Sequence, residues 1–189
     1  MAAQTSLRGI GATRVRMVVA ALVLALAVGC AMTGRRVAPV RGGALRISEV
    51  AGKGDPLRRA STRWVLEGLD AGEAQRALSH YERAVKIDTT NPYAYLALAS
   101  FQIQWGDVDR GMQSLNQAEL LLESQELKSP RVEPHLTGLR GRAHVRMRRQ
   151  TRVTKTNGRV PEGDPLLERA RRLAPDVWGD GWLTAAELR

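Results

Sequence analysis

The sequence is poor in cysteine and in aromatic residues, and both shortages narrow the range of folds. Its 189 residues include one cysteine, Cys30, which excludes an intramolecular disulfide and a cysteine-based zinc site. Aromatic residues make up only 4% of the chain, and Phe101 is the single phenylalanine. A core must therefore be built from Leu, Ala and Val, which favours close-packed helices over a β-sandwich. We expect an all-α fold.

Patterns that carry chemistry are also missing. The sequence has no glycine-rich phosphate loop, no nucleophile elbow and no paired catalytic carboxylates on a helix face. His80, His135 and His144 lack the spacing of metal ligands, and we interpret them as surface or packing residues. We therefore predict no enzymatic activity, no cofactor and no metal site built from these residues.

The N-terminus has the layout of a secretory signal. Residues 1–16 contain three arginines and no acidic residue, and residues 17–28 form an unbroken apolar run that small residues follow. A membrane span is the alternative. A helix over residues 17–32 would cover about 24 Å, which is shorter than the roughly 30 Å hydrocarbon core of a bilayer. The length therefore favours a signal peptide over residues 1–29.

Residues 27–30 read Ala-Val-Gly-Cys, which resembles the lipobox of bacterial lipoproteins. The resemblance implies that Cys30 becomes the first mature residue and carries lipid, palmitate included. Several acyl chains make a stable anchor, because each buried CH₂ contributes about 0.8 kcal/mol. The family's aspartate after the cysteine retains a lipoprotein in the inner membrane, and Ala31 stands at that position here. The resemblance therefore implies an outer-membrane protein that faces the periplasm.

The chain after Cys30 divides into a linker and a helical domain. Residues 31–57 contain five glycines and two prolines with weak periodicity, so we predict a flexible tether over residues 30–57. A short element over Ala44–Val50 is the alternative for that stretch. From about Arg58 the apolar periodicity becomes helical, and we assign residues 58–189 to one domain.

The helical domain repeats itself at an interval of 34 residues. The shift places Trp64 on Leu98 and Tyr81 on Leu115. Four further pairs of small or apolar residues coincide: Gly72 and Gly106, Ala77 and Gly111, Ala84 and Ala118, Ile87 and Leu121. Self-similarity of this kind is typical of a helical repeat array, in which each unit buries its apolar face against its neighbours.

This pattern resembles the tetratricopeptide repeat, a pair of antiparallel helices in every 34 residues. The resemblance implies a short α-α superhelix, with Gly72 and Gly106 in equivalent turns. Asn91 and Pro92 supply a cap and a first residue for the second repeat. We place repeats at about 58–91 and 92–125, a degenerate third repeat at 131–175 and a capping helix at 182–189.

The third repeat is enlarged. Leu167, Ala170 and Leu173 reproduce the spacing of an apolar stripe in the second repeat. We predict a first helix at about 134–149, a loop over 150–163 and a second helix that begins at Asp164 and Pro165.

In tetratricopeptide arrays the first helices line a concave groove that takes a peptide or a partner helix. We expect Leu66, Tyr93 and Leu96 to be partly exposed there and to suit a partner's apolar side chain. The alternative is that they pack against the tether or the third repeat. The 34-residue shift gives these groove residues: Arg59, Thr62, Leu66, Asp70, Tyr93, Leu96, Ser100 and Gln104. The carboxylate clamp of chaperone-binding members is missing.

The positive charge is concentrated in one interval. The chain has 29 basic and 19 acidic residues. No acid lies between Glu133 and Glu162, an interval that contains Arg140, Arg142, Arg146, Arg148, Arg149, Arg152, Lys155 and Arg159. The run over 140–159 is either a solvated face or a contact for an anionic surface, such as lipid phosphate or an acidic partner. We expect no nucleic acid as a partner, because no aromatic residues interleave for base stacking.

Residues 176–187 resemble an EF-hand calcium loop. Four residues fall at its ligand and turn positions: Asp176, Asp180, Gly181 and Glu187. Trp178 occupies the third position, where an oxygen ligand belongs, so the alternative is a plain turn into a capping helix.

From the sequence we predict a lipid-anchored periplasmic scaffold that mediates protein–protein interaction or assembly of an envelope complex. A calcium-binding module over 176–187 and a binder of anionic surfaces through 140–159 are the alternatives.

Overall fold

The computed structural model describes residues 42–153 and 163–189, and all of their regular secondary structure is helical. The predicted signal peptide and Cys30 lie outside these residues. A 3₁₀ segment (Ile47–Val50) comes first. The α-helices that follow are α1 (Pro56–Leu69), α2 (Ala74–Ile87), α3 (Pro92–Trp105), α4 (Val108–Ser124), α5 (Glu133–Val153), α6 (Pro165–Leu173), α7 (Pro175–Trp178) and α8 (Ala185–Leu188). The predicted all-α fold is confirmed.

Three helices begin with the same local signal. Asp55, Asn91 and Asp164 are the caps of α1, α3 and α6, and a proline follows each of them. Each cap side chain accepts a hydrogen bond from a backbone N–H of the first turn. A proline at this position costs no hydrogen bond, because a backbone N–H there would have no partner within the helix. The predicted helix starts at Asn91 and Asp164 are confirmed.

The long helices form three antiparallel pairs: α1 with α2, α3 with α4, and α5 with α6. Small residues lie where the pairs cross. Ala84 and Ala118 have no exposed surface, and a Cβ atom on Gly111 would lie 2.6 Å from Ile103 Cγ1. A Cβ atom on Gly141 would lie 2.7 Å from the backbone N of Leu167. Helices approach this closely only without side chains at the crossing.

The two turn glycines differ in conformation, so the predicted equivalence of Gly72 and Gly106 is wrong. Gly106 ends α3 with a left-handed φ of 97°. Gly72 is exposed, has no left-handed φ and has nothing within 4 Å of its Cβ position. The reason is the length of the turn, because α1 and α2 are separated by residues 70–73 and α3 and α4 by residues 106–107. Only the shorter turn requires a left-handed residue.

The third pair follows the predicted stripe, although α5 is longer than predicted. Leu136, Leu139 and Ala143 are buried on α5, and Met147 packs against the core. The predicted loop over 150–163 is wrong for residues 150–153, which continue α5. Residues 154–162 lie outside the described part of the chain.

The predicted flexible tether is wrong for residues 44–50. Ile47 has no exposed surface, and Leu45 and Val50 are each 8% exposed. The backbone is held as well, since Leu45 N donates to Arg131 O and Ser48 N donates to Arg189 O, both at 2.9 Å. Three apolar side chains at close intervals make this segment part of the core.

The C-terminal residues close the array. Trp178, Leu183 and Leu188 are buried, and a Cβ atom on Gly138 would lie 2.4 Å from the Trp178 ring. The predicted capping helix is shortened to α8, and α7 is an element that the sequence pattern did not indicate. Within residues 42–153 and 163–189, no helix combines the length and the apolar character that a membrane span requires.

Candidate functional site

The predicted concave groove is mostly filled. The expectation that Tyr93 and Leu96 are partly exposed is wrong, because Tyr93 is 7% exposed and Leu96 is fully buried. Leu66 is half-buried. Of the other predicted groove residues, Thr62 and Ser100 are buried, and Arg59, Asp70 and Gln104 are exposed.

Segments of the same chain cover this face. The 3₁₀ segment and α8 both pack against α1. Val50, from the 3₁₀ segment, lines one small pocket together with Tyr93. Arg189 pairs with Asp70, and its carbonyl accepts from Ser48 N. This part of the face therefore packs against the predicted tether, which was the alternative interpretation.

Arg131 clamps the segment that covers the groove. Its guanidinium donates to Gly43 O at 3.1 Å and to Ala44 O at 3.3 Å, and it binds both carboxylate oxygens of Glu49 at 2.8 Å. The hydrogen bond from Arg131 lowers the pKa of Glu49. A bidentate pair of this kind fixes the orientation of both side chains.

His135 is a second clamp, and it is buried and neutral. Its Nε2 lies 2.8 Å from Leu45 O, while Nδ1 is buried and has no hydrogen-bond partner. Burial lowers the pKa of His135 to about 4. Nε2 therefore carries the ring proton and donates a hydrogen bond to Leu45 O. The sequence allowed His135 to be a surface residue or a packing residue, and the structure shows that it is a packing residue.

Thr62 belongs to a buried polar network. Asn91 Nδ2 donates to Ser61 Oγ at 2.9 Å and to Thr62 Oγ1 at 3.1 Å. Asn91 Oδ1 accepts from Tyr93 N at 3.1 Å. The network joins α1 to the start of α3 and satisfies polar groups that burial would otherwise destabilise. The structure therefore gives Thr62 a role inside the array.

A second polar joint links the first two repeats. Arg58 Nε pairs with Asp88 at 2.5 Å, and its other nitrogens donate to Gln125 and to the backbone and side chain of Thr90. Burial raises the pKa of Asp88, but hydrogen bonds from Thr90 and Arg58 outweigh burial and lower it. The carboxylate therefore stays ionised and holds the end of α2 against the start of α1.

One end of the concave face remains open as an apolar pocket, which we call the aromatic pocket. Trp105 at the end of α3 is 65% exposed, and it stacks on Phe101 with ring centroids 5.8 Å apart. Ser100 and Gln104 of the predicted groove line it as well. Its volume is about 170 Å³, and no described residue that lines it carries a charged side chain. The other main lining residues are Leu69, Tyr81, Ala185 and Leu188.

The residues of the EF-hand-like loop have other partners. Glu187 accepts from the backbone N and the hydroxyl of Thr184 at 2.7 Å, which caps α8. Asp180 accepts from Trp182 N at 2.8 Å. Over residues 42–153 and 163–189, no three His, Cys, Asp or Glu side chains come together as a potential metal site. The geometry gives the calcium alternative no ligand set to build on.

The tetratricopeptide repeat family model matches residues 68–128. These residues form a tetratricopeptide repeat region. The match begins at the end of α1 and covers α2, α3 and α4. No curated protein and no solved structure matches the chain. A repeat region of this family suggests protein–protein interaction, and such scaffolds are typically not catalytic.

Trp105, the most exposed aromatic residue of the pocket, was not among the predicted groove residues. The 34-residue shift identifies positions at which both repeats carry similar residues. It aligns Trp105 with Ala71, which is not a large residue. The available signal was the pair Phe101 and Trp105, because two aromatic residues four positions apart lie on the same face of a helix.

Proposed function

We propose that the protein is a lipid-anchored periplasmic scaffold that holds a protein partner at the inner face of the outer membrane. The repeat region supports the binding part of this proposal. The order of basic, apolar and small residues before Cys30 supports the anchor. The partner belongs to the cell envelope, because the anchor confines the helical domain to that compartment.

The aromatic pocket is the observation that supports a binding role most directly. Trp105 remains 65% exposed beside uncharged walls even though it stacks on Phe101. Such a surface suits an apolar side chain from a peptide or an amphipathic helix. A partner that covers Trp105 would gain buried apolar area without having to displace the 3₁₀ segment.

Replacement of the lipidation residue tests the anchor. In cells fed radioactive palmitate, we expect the wild-type chain to be labelled and to fractionate with the outer membrane. The Cys30→Ser variant should be unlabelled and should leave that fraction. A Cys30→Ser protein that remains in the outer membrane would refute the anchor and would leave the binding role to a separate test.

Capture of the partner tests the pocket. We expect crosslinked wild-type protein to co-purify with one discrete partner chain, and Trp105→Ala to lose it. Leu120→Ala is the matched control, because Leu120 is 61% exposed on α4 and lies outside the pocket. Both variants should keep the wild-type melting temperature. Capture that survives in Trp105→Ala would show that the partner binds elsewhere.

A further inference from the structure

Helix α5 carries arginines in two different electrostatic settings. Arg140 pairs with Glu119 and Arg148 pairs with Asp164, each at 2.7 Å. Three other arginines form no ion pair with any carboxylate of the described residues: Arg142, Arg146 and Arg149. Of the basic run, Lys155 and Arg159 lie outside those residues. Among the α5 arginines whose side chains the structure describes, these three therefore carry the positive charge that internal carboxylates leave unpaired.

These three side chains line one open pocket of about 240 Å³. They stand at intervals of four and three residues, which places them on one face of the helix. Val145, Gln150 and Trp182 complete the wall, and none of its described residues is acidic. The pocket is thus positive on one side and apolar on the other.

Trp182 holds two of the guanidinium groups in place. The Arg142 guanidinium lies 3.2 Å from the centroid of the Trp182 ring, and that of Arg146 lies 5.7 Å from it. Arg146 also donates to Gln104 O at 2.6 Å. Cation–π contacts of this kind orient a guanidinium without neutralising its charge. The charges are therefore positioned before any ligand arrives, which reduces the cost of binding.

Arg142 has unused capacity to donate a hydrogen bond. Its Nε is buried and has no partner. Burial, together with the charges of Arg146 and Arg149, lowers the pKa of Arg142 to about 10, and the charge of Asp180 acts in the opposite direction. The group stays cationic at neutral pH. An anion in the pocket would relieve the repulsion among the three guanidinium groups.

We propose that Arg142, Arg146, Arg149 and Trp182 form a binding site for a phosphate group. Guanidinium groups match the oxygens of phosphate with paired N–H donors. Three of them around one pocket suit a doubly charged phosphate ester better than a single carboxylate, because each additional negative charge finds its own partner. The ligand is a phosphate carried by a small soluble molecule or by a lipid headgroup.

Calorimetric titration of the full chain with pyrophosphate tests the site. We expect saturable binding that weakens as salt rises. Arg142→Gln and Arg149→Gln should each weaken binding at least fivefold. Arg172→Gln, an equal change of charge at an exposed arginine of α6, should stay within twofold of wild type. Since Arg149 is exposed, its variant keeps the fold even if Arg142→Gln does not.

Two results would overturn the proposal: no binding of pyrophosphate, or an equal loss of affinity in Arg172→Gln. The exception is vesicle binding that depends on Arg149, which a second arm of the experiment measures. That arm uses phosphatidylglycerol vesicles, phosphatidylcholine vesicles as control, and the Cys30→Ser background to remove an acyl anchor. Binding to phosphatidylglycerol vesicles but not to phosphatidylcholine vesicles identifies a lipid headgroup, provided that Arg149→Gln abolishes it. Pyrophosphate binding without such vesicle binding identifies a soluble phosphate. Failure of both arms refutes the site and leaves the partner scaffold unaffected.

Discussion

Single residues decide how the termini attach to the repeats. His135 of α5 and Arg131, which lies just before α5, form hydrogen bonds to Leu45 and Glu49 of the first described segment. None of these pairs could be predicted from the sequence, because the partners are more than 80 positions apart and carry no shared spacing. The sequence did indicate that His135 has no ligand spacing, which is consistent with its buried hydrogen bond.

Acid should weaken the protein through His135. Its pKa is about 4 in the folded chain against an ordinary value of 6.5. As the pH falls from 6.5 towards 4, the unfolded chain takes up a proton that the folded chain does not, so stability decreases in that window. Urea denaturation should show a loss of about 2–3 kcal/mol between pH 7 and pH 4.5.

His135→Gln is the matched control, since a glutamine amide can still donate to Leu45 O but does not titrate. This variant should lose much less stability than the wild type over the same window. Equal losses in the two proteins would mean that other groups cause the acid sensitivity.

Individual elements show which features a sequence specifies locally. The capped starts at Asn91 and Asp164 and the small residues at helix crossings could be predicted because each depends on neighbours within one or two turns. The burial of the 3₁₀ segment could not, since glycines around it resemble those of a linker. The burial of this segment depends on a surface that exists only after the helices have packed.

The crossing of α5 and α6 should tolerate no side chain at Gly141. Alanine there would place its Cβ atom 2.7 Å from the backbone N of Leu167, so the helices must separate. We expect Gly141→Ala to lower the free energy of unfolding by about 1–3 kcal/mol. Gly72→Ala is the control, because its Cβ would meet nothing within 4 Å, and it should change stability by less than about 0.5 kcal/mol. A neutral Gly141→Ala would contradict the close crossing.

The 3₁₀ segment should behave as core in a stability measurement. Ile47 has no exposed surface, so Ile47→Ala should cost about 2–4 kcal/mol in chemical denaturation. Lys53→Ala, at an exposed position six residues later, should be close to neutral. A flexible tether would instead predict that both substitutions are neutral.

At the scale of the described molecule, the repeat array has its concave face partly occupied by its own chain. The 3₁₀ segment and α8 pack against α1, Val50 lies beside Tyr93, and the aromatic pocket remains open. The sequence predicted the array from its 34-residue period, but the period says nothing about segments outside the repeats. The location of the open surface therefore required the structure.

The central claim is that this open end binds a protein partner. Its most direct test is photo-crosslinking in living cells, with a benzoylphenylalanine in place of Trp105 or, as control, in place of Leu120. We expect one discrete crosslinked product of higher mass from position 105 and none from position 120. Products of the same kind and yield from both positions, or none from position 105, would contradict it.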